Sequence, residues 1–128
     1  MSAFFVFQQE SPDGANQEFV FKLVDASKIA EARSILANPA GTAKHVRGTI
    51  EPTRASYNPA WSFHLEPDSI SFFELAMEVC DANVVYVEEH LSEVGSDFLP
   101  GGAWCPWSSS LKAEITDRVD PTTEVLRN

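Results

Sequence analysis

The sequence predicts one α+β domain: a mainly antiparallel sheet of four to six strands with two helices packed on one face. Three observations carry that reading. Short Phe- and Val-rich runs lie between turn residues, two segments place apolar residues at helical spacing, and 128 residues leave room for one core only. The domain is expected over residues 1–116, with residues 117–128 as a loose polar C-terminal tail.

Residues 3–7 and 18–24 are too short and too rich in Phe and Val for helices, and Pro12-Asp13-Gly14 between them supplies turn residues, so they read as a hairpin. Asp25 and Ser27 offer an N-cap; Ile29, Ala32, Ile35 and Leu36 follow at helical spacing until Asn38-Pro39 and Gly41 stop the helix. Val46, Gly48 and Ile50 alternate with His45, Arg47, Thr49 and Glu51, as in a half-buried strand ended by Pro52. The alternation of Trp61, Phe63 and Leu65 predicts a fourth strand, closed by Pro67-Asp68. Residues 69–80 carry both periods. Phe73, Leu75, Met77 and Val79 alternate with Glu74, Ala76, Glu78 and Cys80, which decides for a strand over a helix capped at Asp68-Ser69. A second helix starts from Asp81 or Asn83, turns Val84, Val87, Leu91 and Val94 inward, and ends at Gly95. Residues 96–110 are expected as a long loop and 110–116 as a last short strand or turn. Much of the core should come from Trp61, Phe63, Leu65, Phe73, Leu75, Val79, Val87 and Leu91.

Nine Lys and Arg against nineteen Asp and Glu give a formal charge of −10. Such a surface repels phosphate backbones and anionic lipids, so neither a nucleic-acid polymer nor a membrane is expected as partner. No apolar stretch approaches the ~18 residues a bilayer span needs. The opening residues lack the basic region of a secretory signal, which leaves a cytoplasmic location or a mature form of an exported chain. One run opposes the overall charge. Lys44, His45, Arg47 and Arg54 fall within eleven residues, read either as a solvated strand and loop or as a small-anion site.

The most unusual local feature is the loop around Trp104, Pro106 and Trp107, a Pro-stiffened segment whose indoles would offer rigid amphipathic surface of the kind enriched in binding hot spots. Tyr57 is a further aromatic candidate. The alternative is that both indoles plug the edge of the core. Cys80 and Cys105 allow one disulfide, which would close a loop of about 25 residues and stabilise by roughly 3 kcal/mol in an oxidising compartment. In cytosol both would remain thiols. Cys105 lacks the surroundings of a cysteine nucleophile, and His45, His64 and His90 lie on three elements without zinc-ligand spacing. Neither a phosphate-cradling Gly-rich loop nor a Gly-x-Ser-x-Gly elbow is present. No catalytic, metal or cofactor site is therefore expected.

Three strings point to a family. They are residues 57–67 (Tyr57-Asn58-Pro59-Ala60-Trp61 at their start), residues 72–82, and Phe98-Leu99-Pro100-Gly101 with Trp104-Cys105-Pro106-Trp107-Ser108-Ser109. Together, over about residues 17–112, they resemble a small domain of secreted bacterial proteins that also forms the N-terminal part of a slime-mould cyclic-AMP-binding protein. The resemblance implies an exported, extracellular domain in which Cys80 pairs with Cys105. It also implies a cyclic-nucleotide role, for which the basic run from Lys44 to Arg54 would have to hold the phosphate, because the usual cyclic-nucleotide cassette is missing.

Three functions are carried forward. The first is a small non-enzymatic binding or inhibitory protein, of protease-inhibitor, lectin or defence type, that meets a protein or carbohydrate through Trp104, Pro106, Trp107 and Tyr57. The second is binding of a small anion or cyclic nucleotide through Lys44, His45, Arg47 and Arg54. The third is an unrecognised hydrolase using His64 or His90.

Overall fold

The structure, a computed structural model, describes residues 2–10, 15–38, 45–74 and 78–127. The chain begins with the expected hairpin, β1 (Ala3–Glu10) and β2 (Asn16–Leu23), paired antiparallel from Ala3↔Leu23 to Glu10↔Asn16. The turn residues Pro12, Asp13 and Gly14 lie outside the described residues. β1 is the middle strand of a three-stranded sheet, because β9 (Ser109–Glu114) pairs along its other side. Residues 3–7 are apolar without alternation, and the reason is now plain: both faces of β1 are buried. Phe5 and Phe7 point into the main core, while Phe4 and Val6 enter a second cluster with Val20, Tyr57, Ile115 and Val119.

Two helices put their buried side chains into the same main core as Phe5 and Phe7. α1 (Ala26–Ala37) contributes Ile29 and Ala32, and its first turn is closed by Asp25, whose carboxylate accepts from the Ser27 and Lys28 amides. α2 (Val84–Glu89) contributes Val84 and Val87 and is capped by Asn83, which accepts from the Val85 amide at 2.9 Å. The α+β class is as the sequence predicts, but the strands divide among separate sheets. β3 (His45–Glu51) is the shared strand of the second sheet, pairing antiparallel with β4 (His64–Leu65), β5 (Ser71–Phe73) and β8 (Ala103–Trp104).

Several elements differ from their sequence readings. The strand expected over 61–65 survives only as β4, since the residues before it are held by side-chain clasps instead of a ladder. Buried Asn58 accepts from the Val20 amide at 2.9 Å and donates to the Phe63 carbonyl at 3.2 Å, and the Trp61 indole donates to the Glu18 carbonyl at 2.8 Å. These bonds also occupy backbone groups on the edge of β2 that would otherwise invite another strand. The strand expected over 69–80 ends at Phe73; a 3₁₀ turn follows at Glu78–Cys80, and Leu75 lies outside the described residues. Val79, expected in the core, is 51% exposed. α2 stops at Glu89, tightens into a 3₁₀ turn at Leu91–Glu93, and leads to β6 (Val94–Gly95) and β7 (Phe98–Pro100), which pair in parallel where a loop was expected. Gly95 still serves as a turn, at φ +94°, a conformation glycine adopts without a Cβ clash.

The tail after residue 116 is docked, not loose. Val119 is 2% exposed, bridges Leu126, and joins the second cluster beneath Phe4 and Tyr57. The Leu126 amide donates to the Ser56 carbonyl at 3.2 Å, and Lys22 pairs with Glu124 at 2.7 Å. An apolar underside on β1 needs a cover, and this segment supplies it.

The two sheets meet on Trp104. Its ring lies 5.7 Å from Phe7, 5.3 Å from Phe19 and 5.5 Å from Phe63, and its indole N–H donates to the Ala82 carbonyl at 2.9 Å. Removing a fully buried ring of this size forfeits its transfer free energy and leaves a cavity. Trp104→Ala is expected to lower the unfolding free energy by about 3–5 kcal/mol, read as a reduced urea midpoint, whereas half-buried Trp107→Ala should cost clearly less. Equal effects of the two substitutions would show that Trp104 is not the centre of the core.

Candidate functional site

The residues proposed as an aromatic contact surface are mostly interior. Trp104 is 1% exposed, Pro106 is buried, and Tyr57 is 5% exposed with its ring 5.2 Å from Phe4. Trp107 is half-buried; its backbone N–H donates to Asp81 at 2.9 Å, and its indole N–H is buried with no partner among the described residues. The expectation of an exposed aromatic loop is therefore corrected. An indole gains more from a pocket of phenylalanine rings than from water, and the segment around it is bolted down at several points.

Those fastenings are specific. Cys80 and Cys105 stand at disulfide distance with Cα atoms 5.1 Å apart, and the Cys105 amide donates to the Cys80 carbonyl at 2.7 Å. Ser109 Oγ donates to the Pro106 carbonyl at 2.6 Å and accepts from the Val46 amide at 3.0 Å. Gln9, 2% exposed, donates to Ser108 Oγ at 2.9 Å and accepts from the Val84 amide at 2.8 Å, tying β1 to the start of α2. A buried amide that reaches partners on both sides offsets its desolvation. Asn58 and Gln9 escaped the sequence reading because nothing local distinguishes a clasping amide from a surface one.

The described members of the basic run have different partners. Lys44 lies outside the described residues. His45 turns Nδ1 to the Ser109 carbonyl at 2.7 Å and packs against Phe73. Arg54, beyond Pro52, donates to the Trp61 carbonyl at 3.2 Å and to Ser62 Oγ at 3.3 Å. Arg47 stands apart from these. It is exposed on β3 and has neither a hydrogen bond nor a carboxylate partner among the described residues.

Arg47 lines a cleft of about 350 Å³ together with Thr49, Ser69, Val79, Ala103 and the Cys80–Cys105 pair, with Trp104 also reached. Among the described lining residues Arg47 alone is charged. Ser69 Oγ is committed, accepting from the Thr49 amide at 2.8 Å and donating to the Glu66 carbonyl at 2.7 Å. The cleft joins side chains from β3, from the 3₁₀ turns at Pro67–Ser69 and Glu78–Cys80, and from β8. That scatter along the chain left no local signal. The basic-run reading reached only Arg47.

The histidines considered for hydrolysis are tied to backbone: His64 Nδ1 to the Thr53 carbonyl at 2.7 Å and His90 Nδ1 to the Tyr86 carbonyl at 2.9 Å. Among the described residues no three His, Cys, Asp or Glu side chains are grouped to hold a metal ion.

A family model, that of the BP-74 N-terminal domain, matches residues 1–118. The chain belongs to the BP-74 N-terminal domain family. Comparison with curated proteins and with solved structures found no match. In this family member the motif residues that carried the resemblance are scaffold: Asn58 and Trp61 clasp β2, Phe63 and Trp104 fill the core, Cys105 faces Cys80, and Ser109 braces β3. The match also takes in β1, the strand on which both clusters are built.

Burial gives Tyr57 a measurable signature. Loss of water, and secondarily the charge of Glu124, push its phenol from 10.0 up to about 12. The folded pKa lies above the unfolded one, so the phenol's share of stability is complete below pH 10 and is lost as pH rises toward 12. Tyr57→Phe keeps the ring and removes the titration. The variant should lose less stability across that window, measured by denaturant midpoints. Superimposable alkaline profiles would refute the assignment to Tyr57.

Proposed function

We propose that this domain is a non-enzymatic binding module that takes a small organic anion in the Arg47 cleft. One observation carries the reading: an arginine without a carboxylate partner among the described residues, in a chain of formal charge −10, edges a cleft whose other described lining residues are uncharged. Arg33, by contrast, is taken up by Glu114 through paired 2.9 Å bonds and Arg54 by the Trp61 carbonyl and Ser62 Oγ, whereas Arg47 is left facing the cleft. A planar fork of N–H donors suits a carboxylate or phosphate, which it can hold through two parallel bonds. Val79, Ala103, Trp104 and the sulfur pair offer an apolar bed for the body of the ligand. The volume lies at the small end of ligand sites, which fits a mononucleotide-sized or aromatic acid.

Burial of Trp104 and Tyr57 withdraws support from the inhibitor and lectin versions that relied on them. The cysteine pair supports the exported, extracellular reading, since such bonds persist in oxidising compartments.

Calorimetry of the full chain against cyclic AMP, an aromatic carboxylate, sulfate and neutral adenosine tests the proposal. At least one organic anion should bind, with adenosine and sulfate weaker. Arg47→Ala should weaken binding about tenfold, a difference of ~1.4 kcal/mol, with thermal unfolding unchanged. Failure of every anion to bind, or an Arg47→Ala affinity equal to wild type, would sink it.

A further inference from the structure

Along its sequence the chain segregates its charge. From residue 55 to residue 111 it contains nine carboxylate side chains and neither lysine nor arginine. α2 lies within that stretch. Because Val84 and Val87 turn inward, Tyr86 faces water, and at 49% exposure it is among the most exposed large apolar residues described.

Tyr86 is not a lone ring. His90, four residues on, stacks on it with centroids 3.9 Å apart and planes 20° apart, and Phe98 of β7 meets Tyr86 edge-on at 5.3 Å. The stack is locked in place. The carbonyl of Tyr86 can only accept, so Nδ1 of His90 donates in their 2.9 Å bond. Of the charged side chains of this segment, Glu89, Glu93 and Asp97 are exposed and negative, while half-buried Glu88 accepts from the Ser62 amide at 2.7 Å.

We infer that Tyr86, His90 and Phe98 form a docking ledge for an arginine- or lysine-bearing segment of a partner protein. Aromatic rings attract cations through the negative charge of their faces, and the alkyl stem of arginine or lysine lies well along them. Glu89, Glu93 and Asp97 add Coulombic attraction, and none of them is held in an ion pair among the described residues. A pyranose would also pack on exposed rings, but it would gain nothing from the one-signed charge around them. The ledge shares no residue with the Arg47 cleft and is independent of it.

The test uses the full chain and two labelled peptides, one rich in arginine and one with glutamate at each arginine position, followed by fluorescence anisotropy. The arginine peptide should bind and the glutamate peptide should not. Tyr86→Ala, which leaves net charge unchanged, should weaken binding about five-fold. The double change Glu93→Gln with Asp97→Asn should weaken it about three-fold, while Glu31→Gln on α1 leaves it as it was. Tyr86 is exposed, so unchanged thermal unfolding confirms that each variant is folded. Equal affinity of Tyr86→Ala and wild type would reduce the effect to diffuse charge and overturn the ledge. So would absence of peptide binding, or glycan binding that Tyr86→Ala abolishes.

Discussion

The packing of one indole holds this fold together. Trp104 reaches among Phe7 and Phe19 of the first sheet and Phe63 before β4, while its own strand pairs with β3 at Gly48. The crossing is close: a Cβ on Gly48 would come within 3.2 Å of the Ile70 side chain and 3.3 Å of the Leu65 side chain, which would have to shift by a few tenths of an ångström. The polar edge of the indole is satisfied by the Ala82 carbonyl just before α2, so the same ring fixes both sheets and the approach to a helix. Cys105, the next residue, then faces Cys80. Burial and covalent constraint act on neighbouring positions.

That arrangement shapes the surface. With Trp104 interior and Cys105 against Cys80, the 3₁₀ turn at Glu78–Cys80 is held beside β3 and β8, and the space between them is the Arg47 cleft. The walls formed by Trp104 and Cys105 take their conformation from core packing and the cysteine pair. The aromatic ledge on α2 has a different origin. It arises because the inward face of a short helix is filled by Val84 and Val87, which leaves Tyr86 on the outside beside His90.

Buried amides hold segments together in ways that hydrophobic pattern cannot reveal. Asn58 replaces a strand ladder along β2, and Gln9 bridges β1, α2 and the Trp107 loop. Each is a polar residue in a place where the period of the surrounding sequence predicts nothing. The hairpin was legible from Phe- and Val-rich runs on either side of turn residues, and α1 and β3 because their side-chain period is 3.6 or 2 over enough residues to stand out. Residues 61–65 alternated as cleanly, yet most of them are loop, because the partners that decide a ladder lie in β3 and the bonds that pre-empt it come from Asn58 and Trp61. Of the candidate sites, Arg47 was visible as a charge against the trend. Ser69, Val79 and Ala103 were not, since they are brought beside it by three separate returns of the chain.

Local pattern in the amino-acid sequence was sufficient for the α+β class, the first hairpin, the cap of α1 and the acidic surface. Each depends on neighbours a few positions away or on simple counting. Only the tertiary structure decided which aromatic residues face water and which segment covers the second face of β1. It alone placed Arg47 at the edge of a cleft. Those outcomes rest on burial against distant partners, and two tryptophans separated by two residues carry no local mark of which one the core will take.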